Sequence, residues 1–379
     1  TYSAWIKIDD NSLNPFFSKY ASGNVDFEFY HTSTGLRIEH NNLNGGTFGA
    51  VSAPALPLNE WVHLAITYGS GSIRVYVNGE VTFSSGLVAP LQNTYDFNFG
   101  SSGTLPSQFN GQLDEVSIWN TALPQSSIRE WMNKKLNSNH PNFANVVAYY
   151  RFDENQGGTL IDLVNGNDGT LNGGFNATSW RRSGAALGDT SVFAAPSAPI
   201  NLSMDNGLSI TVKDFENPGD YVSIYKVEDT AYTSTIPPHI IAVDDRSYFG
   251  VKMNNGGSYN VEIDYSANPT FAAAANERNI RVLKRDNGAD GTWEQVTSRI
   301  FVDIPNNLIT VPGQSGTEYV VGFTNVTYPA RPGSGYALEF DGIDEYLRTT
   351  GSSFTVNDNF TLVGWAQYRT SVGFGFFVA

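Results

Sequence analysis

The sequence predicts an all-β protein, several antiparallel sandwiches in series. Three observations predict it: short segments of alternating apolar and polar residues recur between Gly, Asn, Pro and Ser clusters, only one stretch carries a helical pattern, and the two ends of the chain resemble each other.

The alternation is clearest in Ile73-Arg74-Val75-Tyr76-Val77 and in Val116-Ser117-Ile118-Trp119. Asn78-Gly79 separates the first of these from Glu80-Val81-Thr82-Phe83, and predicts a type I′ hairpin, whose two central residues both need positive φ. The helical pattern spans Ser126 to Leu136, where Ile128, Trp131, Met132 and Leu136 recur at three- and four-residue spacings. In the strand Leu113 to Trp119, alternation turns Val116 and Ile118 one way and Ser117 and Trp119 the other. Trp119 therefore needs cover, which the helix is expected to supply. Residues 183 to 199 crowd Gly, Ala, Ser and Pro without periodicity and read as a linker. Tyr328-Pro329-Ala330-Arg331-Pro332-Gly333 reads as a second one. Between them, Tyr259 to Ile263 and Tyr319 to Phe323 alternate, so residues 200 to 328 are expected to form one sandwich.

At the ends, Thr1-Tyr2-Ser3-Ala4-Trp5 and Phe16-Phe17 recur as Thr361-Leu362-Val363-Gly364-Trp365 and Phe376-Phe377 in one ungapped register, a repeat of about 360 residues. The chain is thus expected to be a fragment that starts and stops inside a domain. Residues 337 to 360 would then resemble the strands that precede Thr1, and a sheet lacking them presents unpaired backbone at an edge.

Composition bounds what such a chain does. At 379 residues, 40% apolar and 13% aromatic, it has material for two or three cores and is not a disordered chain. A formal charge of −15 repels nucleic-acid phosphates and anionic lipid, and leaves cations or neutral sugars as partners. The absence of cysteine removes disulfides, thiolate metal sites and a cysteine nucleophile, and tilts toward a bacterial surface protein. No apolar run approaches the roughly 18 residues of a membrane helix. No signal peptide is visible at the N-terminus, so an export signal is expected elsewhere.

Glu60-Trp61-Val62-His63-Leu64-Ala65-Ile66-Thr67-Tyr68, then the Ile73 to Gly79 hairpin, then Phe109-Asn110-Gly111-Gln112-Leu113-Asp114-Glu115-Val116-Ser117-Ile118-Trp119, resemble in order and spacing the laminin-G-like, concanavalin-A-like jelly roll. Ala337-Leu338-Glu339-Phe340-Asp341-Gly342 resembles that family's first strand, and Val147 to Glu154 with Asp168 to Gly173 is similar to the tail that follows such domains. Ile224 to Val227, Val282 to Arg285 and Gly316 to Val320 resemble immunoglobulin-like modules, which alternate with these jelly rolls in large secreted adhesins, those of gliding bacteria among them. The resemblance implies a laminin-G-like jelly roll lacking its first strands over 1–183, a linker over 184–199, an immunoglobulin-like sandwich over 200–328, a linker over 329–336 and the start of a second jelly roll over 337–379. It implies a repeat segment of a secreted or cell-surface adhesin that binds glycans or proteins, next to neighbouring repeats of the same chain. A structural stalk and an accessory binding domain of a glycan-degrading enzyme are the alternatives.

The same resemblance implies one structural calcium ion, with Asp114 and Asp341 as the candidate ligands, set against a plain role in capping turns. Asp286-Asn287-Gly288-Ala289-Asp290-Gly291 lacks the closing carboxylate of a calcium loop, since Thr297 stands there, and is expected to be a tight turn. For hydrolysis, two carboxylates must share a face. Asp114-Glu115 and Asp153-Glu154 are adjacent, so on regular strands their side chains point apart, and His31, His40, His63, His140 and His239 are scattered singly. No enzyme is expected. Phe27 with Phe29, and Tyr95 with Phe97 and Phe99, share faces by alternation and are expected to point inward.

Overall fold

The computed structural model describes residues 1–324 apart from 22–23, 42–47, 87–93, 103–106, 196–198, 205–206, 213–219, 232–235, 255, 273–278, 287–291, 298–299 and 316. Asp341, the second linker, the second jelly-roll start and residues 287–291 of the expected tight turn lie outside the described residues.

The first sandwich uses β1 (Tyr2–Ile8), β2 (Asn14–Ala21), β3 (Asn24–Thr32), β4 (Gly35–Asn41), β5 (Phe48–Ala53), β6 (Val62–Gly69), β7 (Ser72–Val77), β8 (Glu80–Gly86), β9 (Asp96–Phe99), β10 (Gly111–Trp119) and β11 (Val146–Tyr150). They form a six-stranded sheet, β11-β10-β1-β6-β7-β8, facing a five-stranded one, β5-β4-β3-β2-β9. The jelly-roll core lies between them, from Ala4, Ile6, Leu64, Ile66, Val75 and Val116 on one side to Phe16, Phe17, Phe29 and Ile38 on the other. Phe27, Phe97 and Phe99 pack against this core, as their alternation requires. Asn78 and Gly79 take φ of 50° and 78° in the expected hairpin turn.

The opposite face of the six-stranded sheet is covered too. Helix α1 (Gln125–Trp131) lays Ile128 against Trp119, Leu123, Tyr76 and Tyr149, all buried. The helix ends at Trp131 rather than Leu136 because the next residues have another partner: Lys135 N–H donates to Gly188 O at 2.9 Å, and Gly188 N–H to Asn133 O at 3.0 Å. Among the described residues no helix is long and apolar enough to cross a membrane.

After β11 the chain forms the small pair β12 (Thr159–Leu160) and β13 (Gly169–Thr170). The second sandwich uses β14 (Thr190–Ala194), β15 (Ile200–Ser203), β16 (Leu208–Val212), β17 (Val222–Val227), β18 (Ile240–Val243), β19 (Tyr248–Met253), β20 (Tyr259–Asp264), β21 (Ile280–Arg285), β22 (Glu294–Gln295), β23 (Phe301–Asp303), β24 (Leu308–Gln314) and β25 (Glu318–Thr324). Its sheets are β14-β17-β19-β25-β21-β22, with β18 also on β25, and β15-β16-β20-β24-β23. Ile210, Ile224, Val261, Val282 and Ile309 lie in its core. One sequence expectation changes: Thr190–Ala194, inside the stretch read as a linker, is a strand paired with β17. Its Val192 and Phe193 were obscured by the Gly, Ala and Pro around them.

Candidate functional site

Two polar places stand out on the first sandwich. The first is the outer face of the five-stranded sheet. Cross-strand register puts Pro15, Tyr30, Arg37 and Ser52 in one row across β2, β3, β4 and β5, and Ser18, Glu28 and Glu39 in the next. Residues directly opposite share a face, so both rows point away from the Phe17, Phe29 and Ile38 row that fills the core. Tyr30 Oη donates to Glu39 Oε1 at 2.6 Å, Arg37 Nη2 reaches the same oxygen at 3.3 Å, and Arg37 Nη1 donates to Ser52 Oγ at 2.6 Å. Ser18 and Glu28 are buried, whereas Arg37 and Ser52 reach solvent. The face offers a guanidinium, a carboxylate, a phenol and a hydroxyl in fixed mutual positions, the donor and acceptor set that orients a polyhydroxylated ligand. Sequence reasoning missed it because it sought paired carboxylates along one strand; Glu28 and Glu39 pair across two.

The second place lies beneath α1 and holds Asp114. Across the β1–β10 ladder Ser3 pairs with Ser117 but Trp5 with Asp114, so Glu115 and Val116 together oppose Ala4. This is a β-bulge, with Glu115 at φ 51°. The bulge resets the alternation and turns the adjacent carboxyls to the same outer face, contrary to the expectation from regular strand geometry. Both are buried. Ser183 hydrogen-bonds to Asp114, which also accepts Glu115 N–H at 2.9 Å. Tyr149 Oη donates to Glu115 Oε2, and Arg151 Nε lies 3.5 Å from Glu115 Oε1. Burial raises both carboxyls above the usual carboxylate range, and their mutual charge raises Glu115 further.

Calcium needs six to eight oxygen acceptors around it. The groups that converge on Asp114 and Glu115 are instead three hydrogen donors, a serine hydroxyl, a tyrosine hydroxyl and a backbone N–H, and a guanidinium that brings its own positive charge. Among the described residues no group of three or more Asp, Glu, His or Cys is placed to hold a metal ion. The residues at Asp114 do not fit calcium.

Next to this pair is a pocket lined by Ser3, Trp5, His63, Glu115, Ser117 and Tyr149. Its free volume is about 40 Å³, room for two or three waters and too small for a sugar ring. Ser3 Oγ and His63 Nε2 are 2.9 Å apart in it. Burial pushes His63 down to about 3, so the ring is neutral, and its Nδ1 is buried without a hydrogen-bond partner among the described residues. No carboxylate orients this ring, which sets it apart from a serine–histidine relay.

Residues 1–129 match the family model of the concanavalin A-like lectin/glucanases superfamily. No curated protein matches the chain. Similar solved structures include a carbohydrate-binding candidate from Bacteroides ovatus, at 23% identity and TM-score 0.34, covering 45% of this chain and 53% of that one. This chain thus spans about half the length of that protein. A heptameric pentraxin from Limulus polyphemus aligns at 17% identity and TM-score 0.31, over 45% of this chain and 82% of that one. Domain 4 of an extracellular arabinanase from Geobacillus stearothermophilus, solved with arabinotriose, aligns at 20% identity and TM-score 0.28, over 34% and 63%. The matched residues carry ten of the eleven strands described for the first sandwich, β1 to β10, so the similarity to the concanavalin A-like superfamily falls on its two facing sheets.

Proposed function

We propose that this chain is a non-catalytic glycan-binding segment of a secreted or cell-surface adhesin, with the jelly roll as the binding module and the second sandwich, of immunoglobulin-like type, as a spacer between repeats. The observation that carries the reading is the hydrogen-bonded set Tyr30, Glu39, Arg37 and Ser52 on the outer face of the five-stranded sheet. Such a set costs little to reorganise on binding, since its side chains already hold one another in place. The superfamily match over residues 1–129 supports a carbohydrate ligand, and the net charge of −15 favours a neutral one. The test is a glycan array on the full chain, followed by calorimetric titration of the best ligand. Arg37→Ala and Glu39→Gln are expected to weaken binding at least about tenfold, the loss of one charge-assisted hydrogen bond, while the melting temperature holds. Absence of any glycan binding, or release of reducing ends from a bound glycan, would overturn the reading.

A further inference from the structure

The disagreement between the Asp114 site and a calcium ion points to what stands in the cation's place. Two carboxyls on one buried bulge repel each other and are costly unless a positive group is near. Arg151, one residue beyond β11, supplies it: Nε is 3.5 Å from Glu115 Oε1 and Nη2 is 2.5 Å from Asp153 Oδ2. Its charge also acts on Asp114. The side chain is 30% exposed and Glu115 8%, so the pair lies largely out of water.

The cluster has a second property. Arg151 and Asp153 lie where the chain leaves β11, and Ser183, which bonds Asp114, lies where it returns before β14. Both ends of the excursion that carries β12 and β13 are therefore tied to the same two residues of β10.

We propose that Arg151 is the built-in counter-cation of the Asp114–Glu115 pair, in place of a metal ion, and that this cluster clasps residues 151–183 to the outer face of the six-stranded sheet. The jelly roll is then metal-independent at this position. A donor set of guanidinium, tyrosine and serine needs no ion from the medium and is insensitive to chelation.

The experiment is thermal unfolding of the full chain at pH 8, in EDTA and in millimolar calcium, for wild type, Asp114→Asn, Glu115→Gln, Arg151→Met, Arg151→Lys and the Arg151→Met/Glu115→Gln pair. The difference in melting temperature between calcium and EDTA is expected to be the same in wild type and Asp114→Asn. Arg151→Met is expected to lower the melting temperature by at least about 4 °C, Arg151→Lys to restore most of that loss, and the loss to shrink by more than half in the Glu115→Gln background, where the carboxylate it neutralises is gone. A calcium response present in wild type and lost in Asp114→Asn overturns the proposal by placing a cation there. An Arg151→Met loss of equal size in both backgrounds overturns it by reducing Arg151 to packing. The wild-type and Asp114→Asn comparison decides the metal question even if Arg151→Met does not fold.

Discussion

Tyr149 donates its hydroxyl hydrogen to Glu115 Oε2 across the β10–β11 ladder, although Glu115 is the extra residue of a bulge and sits at φ 51°. The bond satisfies one oxygen of a carboxyl that burial has cut off from water. Burial raises Asp114 to about 7, and burial together with the charge of Asp114 raises Glu115 to about 8. Both groups therefore hold protons more tightly in the folded chain than in the unfolded one, where they titrate near 4. Between about pH 4 and pH 8 the folded state carries the excess of protons, so this pair's contribution to stability falls as pH rises through that window. The expected result is a melting temperature of the chain that declines from pH 6.5 to pH 8.5, and a decline that is markedly reduced in the Asp114→Asn/Glu115→Gln double variant. An unchanged slope in that variant would assign the pH dependence to other groups.

Helix α1 is seven residues long and has no side-chain cap. A helix that short is not stable by itself and persists because it packs. Ile128, 3% exposed, contributes much of that packing against Trp119 and Leu123. Ile128→Ala is expected to cost about 2–4 kcal/mol, read by denaturant unfolding. Amide exchange should accelerate first in residues 125–136, since the polar bonds of Gln125 and Arg129 to Gly79 and Glu80 are partly exposed and hold the helix weakly once its apolar face is cut back.

In the second sandwich, a missing side chain is what makes a polar network possible. Tyr225, Gly250 and Glu318 lie in one cross-strand row over β17, β19 and β25, and Tyr225 passes over Gly250 to bond Glu318 Oε1 at 3.0 Å. Glu318 is in turn paired with the buried Arg285. A Cβ at Gly250 would lie 1.9 Å from Tyr225 Cζ, an overlap that the rigid ring cannot relieve without leaving Glu318. Gly250→Ala is expected to destabilise by about 3 kcal/mol, from overpacking and the broken buried bond together. Combining it with Tyr225→Ala, which removes the ring, should cost less than the sum of the two single changes.

What the sequence makes legible follows from which signals are local. Asn78-Gly79 specifies its own turn, and the alternation of Val116, Ser117, Ile118 and Trp119 announces a tryptophan in need of cover; the Ile128 stripe ten residues on provides it. The bulge at Glu115 is not legible, because one extra residue reverses the face of everything before it without leaving a compositional mark. The row Tyr30, Arg37 and Ser52 is equally hidden: its members come from three strands whose register is set by the turns between them. The calcium expectation rested on resemblance at Asp114 and at Asp341, the second of which lies outside the described residues. The donors that decide the site, Tyr149, Arg151 and Ser183, lie 35 to 69 residues away in sequence.

The two sandwiches meet at Gly188 and Asp189. Asp189 Oδ1 accepts Lys135 Nζ of the first sandwich at 2.8 Å, while Oδ2 accepts the backbone N–H of Glu228 in the second at 2.7 Å. Gly188 bonds Asn133 and Lys135 through its backbone and lies so close to Lys226 that an added Cβ would fall 2.4 Å from Lys226 O. Only glycine permits that approach. The two bonds of the Asp189 carboxylate are partly exposed, whereas the Gly188–Asn133 bond joins buried residues, so the joint holds one carboxylate between two bodies over a buried backbone contact. Residues Thr1–Val326 pack as one compact unit, and calorimetry of the wild-type chain is accordingly expected to give one transition for both sandwiches. In Gly188→Val/Asp189→Ala the backbone is pushed off Lys226 and the shared carboxylate is gone, so two transitions should separate, each with a smaller enthalpy than the parent. A single unsplit transition in that variant would mean that coupling runs through the packing of α1 against β14, and would move the mechanical joint to that contact.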